Sequence, residues 1–436
     1  MVRYYFSLAL RGFRRTPWMG SLMVVTLAVG LAAGMTTTTL RYALGLDPIP
    51  RKSERLLNLQ DPTAPYHSGG MFDYGRAKAL SRLGGRYAEA TVSGFGIITS
   101  VSIDGRRRSE ERGLGIRYAT AEFFRMFDVP LLRGRIWTVA EAADASPVVV
   151  LSEDAAGEFF PHGDAIGRQI RLDRTLYTVI GISGHWNPQP RYYNLGSPAG
   201  AFGGGAPSMF VPVTEIQYAP NKMMVQEACS RLGDTSLMPR PSTLLSPGCE
   251  WLNVWYLAHS TRDAKLLGRS VKSQLPDLFS TRRARNLQLL NVRQILADSD
   301  IVPGPVRLYA LLGTAFLALC IINAAGMQLS RVLHSTTQIG IRRALGASRA
   351  DIMRQYVCDA FLVGSMGGLL GIGLTFAGLG VVRQLPDVGY AHMAHMDGTM
   401  FCLMILTVLV CSLLVGAVPA WIASHADPAQ VIKAAR

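Results

Sequence analysis

The stretch TQIGIRRALGASRADIMRQY, residues 337–356, lies between two long apolar runs. It carries Arg342, Arg343, Arg349 and Arg354, with Arg331 just upstream. So much charge in a short link between apolar runs is the pattern of a cytosolic loop between membrane spans, because basic short loops stay inside. The link also has internal punctuation. Gly346 is placed to end one short helix as a C′ residue. Ser348 is placed to cap the next, and Asp351 three positions on completes a capping box. The spacing predicts a short helix, a sharp break at Gly346–Ala347–Ser348, and a helix that runs on into the following apolar run.

Working outward, four segments are apolar over the ~20 residues a bilayer requires. They run from about Trp18 to Leu40, Val306 to Leu329, Tyr356 to Val382 and Thr399 to Ile422. The first exceeds the ~7–15-residue core of a secretory signal and is read as an uncleaved anchor. The third holds Gly364, Gly367, Gly368, Gly371, Gly373, Gly378 and Gly380, a composition that lets helices approach closely in lipid. Thr36–Thr39 and Asn323 are expected to hydrogen-bond between helices. The 436 residues are 49% hydrophobic and only 17% charged, with mean hydropathy +0.21. Their formal net charge is +14.

The placement of that charge sets the topology. Arg3, Arg11, Arg14 and Arg15 precede the first span, and Lys433 and Arg436 follow the last. The link from Arg383 carries Asp387 and Asp397 and is the less basic one. Both termini and the opening stretch are therefore expected in the cytosol, with residues 45–305 and 383–398 outside. Nucleic acid is not an expected partner. The basic run GRRRSEER (105–112) falls outside the cell, is followed at once by acids, and reads as a solvated turn.

About 260 residues between the first two spans far exceed the ~12–15 residues of a structureless loop, so they must fold. The sequence reads as mixed α/β. SPVVVLSEDAAGEFF (146–160) is a strand followed by a helix capped by Ser152. RQIRLDRTLYTVIGIS (168–183) is a hairpin about Asp173–Arg174. MFVPVTEI (209–216) is a further strand, and TRDAKLLGRSVKSQLPDLF (261–279) is an amphipathic helix ending near Pro276. The Gly- and Pro-rich 187–208 is a loop. The fold class is thus an α-helical membrane domain of four spans, one plus three, with a large α/β domain between spans one and two. The domains are 1–44, 45–305 and 306–436.

Of six cysteines, Cys320, Cys358, Cys402 and Cys411 lie in or beside spans as packing residues. Cys229 and Cys249 lie in the outer domain, where an oxidising compartment permits a disulfide. No phosphate loop, C-x-x-C pair, H-E-x-x-H or G-x-S-x-G motif occurs, so neither enzyme activity nor a cofactor is expected of this chain. AHMAHMDGTM (391–400) is read as an outer loop at a membrane boundary, with no metal assigned to it.

IGIRRALGAS (339–348) resembles the signature of MacB/FtsX-type permeases of ABC transporters, a group that includes the lipoprotein-releasing LolC/LolE type. RYATAEFFRMFDVPLLRGR (117–135) and VVVLSEDAAGEFFPHGDAIGRQIRL (148–172) resemble that family's periplasmic core. PAWIASHADPAQVIKA (419–434) resembles its C-terminal tail. The resemblance implies that a coupling helix, about residues 331–349, docks on an ATPase. The ATPase-coupling residues it implies are Gln338, Gly340, Ile341, Arg342, Arg343, Leu345, Gly346, Ala347, Ser348 and Arg349. It also implies a periplasmic domain with a porter-like part and an inserted β-rich part, in the bacterial inner membrane. ATP-Mg would be bound by a separate ATPase subunit. Further partners would be a second permease subunit, a periplasmic adaptor and an outer-membrane channel, besides membrane lipids. Gln338 stands where the family often has Glu. The N-terminal stretch YYFSLALRGFRRTPWMGSLMVVTLAVGLAAGMT, followed by DPIPRKSERLL, resembles permeases that occur in unequal pairs, so a heterodimer is favoured over a homodimer. The function implied is ABC-type extrusion by mechanotransmission. The alternatives are FtsX-like control of a periplasmic enzyme and lipoprotein release.

Overall fold

The computed structural model describes residues 17–62, 70–103, 106–172, 175–194, 201–202, 206–218, 223, 229, 241–298, 301–335, 339–342, 345–385 and 389–425. The chain divides into two compact units, residues 1–45 with 302–436, and residues 46–301.

The first unit contains four helices long and apolar enough to cross a membrane. They are α1 (Pro17–Leu44), followed after the second unit by Gly304–His334, Arg349–Arg383 and Gly398–His425. All four extend beyond the apolar runs. The third begins seven residues earlier than Tyr356, because Ser348 and Asp351 cap it at the start of a polar first turn. Glycines let these helices touch. A Cβ on Gly30 would lie 2.7 Å from Cys320 Cβ, so α1 meets helix 304–334 there. In helix 349–383, Gly367 and Gly371 face α1, where an added Cβ would come within 3.1 Å of Leu27 Cβ and Leu31 Cβ. Gly364 and Gly368 face Ser412 and Val408 of helix 398–425. The glycine-rich span is thus a two-sided contact face. Two of the polar groups do not bridge helices as expected: the Thr37 hydroxyl donates to Ala33 of its own helix, and Asn323 lies on an exposed side. A threonine on a helix has a carbonyl one turn back within reach, which satisfies it locally.

The second unit is one mixed sheet. Its strands are β1 (Leu56–Gln60), β2 (Met71–Phe72), β3 (Ala88–Ile103), β4 (Arg106–Ala119), β5 (Leu131–Gly134), β6 (Val148–Ser152), β7 (Gln169–Leu172), β8 (Thr175–Ser183), β9 (Met209–Pro212), β10 (Leu252–Ala258) and β11 (Gln288–Asn291). Their order is β11-β1-β10-β3-β4-β9-β6-β8-β5, with β2 on β10 and β7 on β3 and β8. β4–β9 and β6–β8 are parallel and the other pairs antiparallel. Side chains alternate across a strand, so Val149 and Leu151 enter one hydrophobic core and Val148 and Val150 the other. Apolar material therefore covers both faces.

Local signals held where they were strong. Ser152 caps helix Glu153–Phe159 through Ala155 N–H, and β7–β8 form the expected antiparallel pair. Two expectations need correction. The run 106–112 belongs to β4 and pairs with β3, with Arg106, Arg107, Arg108 and Ser109 opposite Ile103, Ser102, Val101 and Ser100. A charged segment becomes a strand when an apolar partner supplies the ladder, which local composition does not reveal. Helix Thr261–Leu278 ends two residues beyond Pro276, as expected. Proline this near a helix end interrupts only one backbone bond. The strand at 209 stops at Pro212 and continues as a 3₁₀ turn, Val213–Tyr218.

That turn buries Glu215 completely beside Tyr177 and Tyr118, near their phenols but outside hydrogen-bond geometry. Burial pushes the Glu215 carboxyl up to about 7. A raised acid is protonated in the folded protein while its unfolded counterpart ionises near 4.5. Stability is therefore full below about pH 4.5 and is lost as pH rises towards 7, by roughly 1–3 kcal/mol. Thermal unfolding across that window should show the decline in the native chain and lose most of it in Glu215→Gln. An unchanged slope in the variant would remove Glu215 as its cause.

Candidate functional site

Helices 304–334, 349–383 and 398–425 are here α2, α3 and α4. Residues 331–334 of the expected coupling region form the last turn of α2. Residues 339–342 are helical. Ala347 N–H then donates to Arg342 C=O at 3.1 Å, and Gly346 takes φ +98°. This is the six-to-one closure of a glycine-ended helix, in a backbone region that side chains disfavour. Ser348 restarts the chain as the N-cap of α3, with both arms of the capping box to Asp351 present.

The segment has an inner and an outer side. Ile339 is buried with Val332, Ile352, Tyr356 and Ala420, and Ala347 packs against them. Gly340 is buried too. Arg342 is half-buried and donates from Nη1 to Gln355 Oε1 at 2.6 Å, which ties the segment to α3. Ile341 and Leu345, one helical turn apart, are 57% and 83% exposed. Gly346, Ser348 and Arg349 are exposed as well. Gln338 and Arg343 lie outside the described residues. The outer side is therefore a pair of large apolar side chains rimmed by polar and basic groups, while the inner side is anchored on α2, α3 and α4.

A polar clamp stands above this anchor. Asp359 Oδ2 on α3 accepts from Gln328 Nε2 at 2.8 Å and from Arg331 Nη1 at 3.3 Å, both on α2. Gln328 is fully buried, and the Arg331 and Asp359 side chains are each 12% exposed. One turn on, the Ser335 and Tyr356 hydroxyls are 2.7 Å apart. A buried charge needs such pairing, since an isolated one is costly. Gln328, Ser335, Tyr356 and Asp359 were not singled out in the sequence. The available signal was Asp359, a carboxylate inside an apolar run, which marks a functional position by default in a membrane helix.

Cys229 and Cys249 form a disulfide in the second unit, far in sequence from this site. Among the described residues, no group of His, Cys, Asp and Glu could hold a metal ion.

Two family models match the chain. The MacB-like periplasmic core domain matches residues 21–231, and the FtsX-like permease C-terminal domain matches residues 310–428. The probable export ATP-binding/permease protein MacB of Pseudomonas entomophila is 24% identical over 93% of this chain and 55% of its own length. The macrolide export ATP-binding/permease protein MacB of Psychrobacter cryohalolentis is 28% identical over 68% of this chain and 44% of its own. The chain spans about half the length of the curated relatives it matches. The periplasmic region of MacB from Actinobacillus actinomycetemcomitans, at 13% identity, aligns with 58% of this chain and 95% of that one at a TM-score of 0.37. The chain belongs to the MacB/FtsX-type ABC transporter permeases, with a MacB-like periplasmic core domain and an FtsX-like membrane domain.

Proposed function

We propose that the chain is the permease subunit of an ABC-type extrusion machine that works by mechanotransmission. A separate ATPase subunit binds ATP-Mg and docks on residues 338–349. The chain sits in the bacterial inner membrane with both termini in the cytoplasm, and a second, unequal permease completes the pair. The observation that carries this reading is the two-sided coupling segment, with Ile341 and Leu345 offered outward while Ile339 and the Arg342–Gln355 bond hold the segment on α3. An apolar pair rimmed by arginines suits docking to another protein, because large exposed apolar groups mark interaction sites. Rigid attachment to α3 would pass any displacement of the segment directly to the spans. Export activity in the names of the relatives supports extrusion over signalling, and this reading takes an adaptor and an outer-membrane channel as the further partners.

The test begins with affinity purification of the full chain from membranes and mass spectrometry of its companions. An ATPase, a second permease and an adaptor are the expected set. A cell-wall hydrolase or its activator in place of the adaptor would favour control of a periplasmic enzyme. In the purified complex, Gly346→Pro and Arg342→Glu should insert normally yet lower stimulated ATP turnover at least fivefold. Proline cannot reach the left-handed φ at 346, and glutamate loses the bond to Gln355 Oε1. Undiminished stimulation in both variants would refute the coupling role.

A further inference from the structure

The second unit buries two arginines that no carboxylate among the described residues neutralises. Arg117, near the C-terminal end of β4, is wholly buried, and Arg191 is 2% exposed. Arg117 lies opposite Phe95 of β3 and Phe210 of β9, on the aromatic side of the sheet. Its guanidinium carbon is 4.9 Å from the Tyr193 ring centre, 5.2 Å from Phe95 and 5.5 Å from Phe123. Arg191 is near enough that the two positive charges disfavour one another. Burial and that repulsion lower Arg117 only to about 10, so it stays charged at neutral pH.

Aromatic faces attract a cation but accept no hydrogen bonds from its edge. Nε, Nη1 and Nη2 of Arg117 and Nε and Nη2 of Arg191 have no hydrogen-bond partner. The Tyr193 hydroxyl, which lies near both arginines, and the Asn194 amide nitrogen next to it in the chain are also unpartnered. Each of these groups can donate, and the guanidinium nitrogens cannot accept at all. Among the described residues no carboxylate pairs with either arginine. The one buried glutamate nearby in sequence, Glu215, is with Tyr118 and Tyr177, and Tyr118 points to the opposite face of β4 from Arg117.

Buried donors of one sign require acceptors of the other, since unsatisfied buried polar groups and unpaired buried charges are rare in native proteins. We propose that Arg117 and Arg191, with Asn194 and the Tyr193 hydroxyl, form a buried binding site for an oxyanion. The ligand is a carboxylate or phosphate group, free or as the head of a larger molecule. Two planar guanidinium forks match the paired oxygens of these groups, and charge-assisted bonds of this kind are the strong ones. The site is independent of the coupling segment and of any reading of what the machine extrudes.

The test uses the full chain in detergent micelles, dialysed exhaustively, with thermal unfolding and calorimetric titration. Sodium phosphate and sodium acetate are the probes, and sodium chloride at equal ionic strength is the control. A saturable rise in unfolding midpoint with phosphate, acetate or both is expected, and which one acts identifies the tetrahedral or planar group. Arg117→Met and Arg191→Met should each weaken the response at least tenfold. Arg117→Met should also be no less stable than the native chain in chloride, because it removes an unpaired buried charge. Arg191→Lys should retain a weakened response if the methionine variants do not fold. No saturable response of the native chain to either probe would overturn the proposal. So would a response unchanged in every arginine variant.

Discussion

Gly364→Val is expected to be among the most damaging single changes in the membrane unit. A Cβ at residue 364 would lie 2.5 Å from Ser412 Cβ and 3.0 Å from Ser412 Cα. The nearer obstacle is a side chain but the second is α4 backbone, so no rotamer change relieves the clash. Gly368, one turn on, meets Val408, and Gly416 of α4 meets Ala360 at 2.5 Å, so the contact is close over several turns. In lipid, helix association depends on van der Waals packing between small residues. Overpacking a well-filled interior costs about 1–3 kcal/mol, and prying apart a backbone contact belongs at or above the upper end of that range. Gly373 supplies the control. It is exposed, and a Cβ there would meet nothing within 4 Å, so Gly373→Ala should be neutral. Thermal unfolding in detergent compares them. Equal midpoints for Gly364→Val and Gly373→Ala would show that the α3–α4 contact does not limit stability.

The second large effect belongs to Asp359. Removing its carboxylate in Asp359→Ala strands the Arg331 charge and the Gln328 amide between α2 and α3. Breaking a buried pair from one side costs about 3–5 kcal/mol, while replacing both partners by apolar groups is often nearly neutral. The double variant Asp359→Ala/Arg331→Met is therefore expected to regain much of the stability lost in the single one. A double-mutant cycle on the unfolding midpoint measures this. Strict additivity of the two single changes would mean that the clamp has no coupling energy. Because the clamp lies directly above the Ile339–Tyr356 anchor, Asp359→Ala should also reduce ATPase stimulation in the assembled complex. The double variant should recover stability more fully than stimulation, because apolar replacements pack without restoring the directional bonds between α2 and α3.

What the sequence determined by itself was local or compositional. Four apolar helices follow from run length, since a helix satisfies its own backbone whatever surrounds it. The Ser152 and Ser348–Asp351 caps and the Gly346 stop act within five positions, so the break in the coupling segment could be read directly. The tertiary structure alone decided the rest, because its partners are distant along the chain. The basic run 106–112 is a strand only because β3 pairs with it. Asp359 joins Gln328 and Arg331 across 31 and 28 positions, and until α2 and α3 are packed it reads as a lone acid in an apolar run. Arg117 reads as an ordinary strand arginine. Its burial under Phe123 and Tyr193, beside a second arginine, exists only once the sheet and the segment around Tyr193 have closed over it. Short-range hydrogen bonding writes itself into residue order, whereas burial and charge pairing depend on which segments the completed fold brings together.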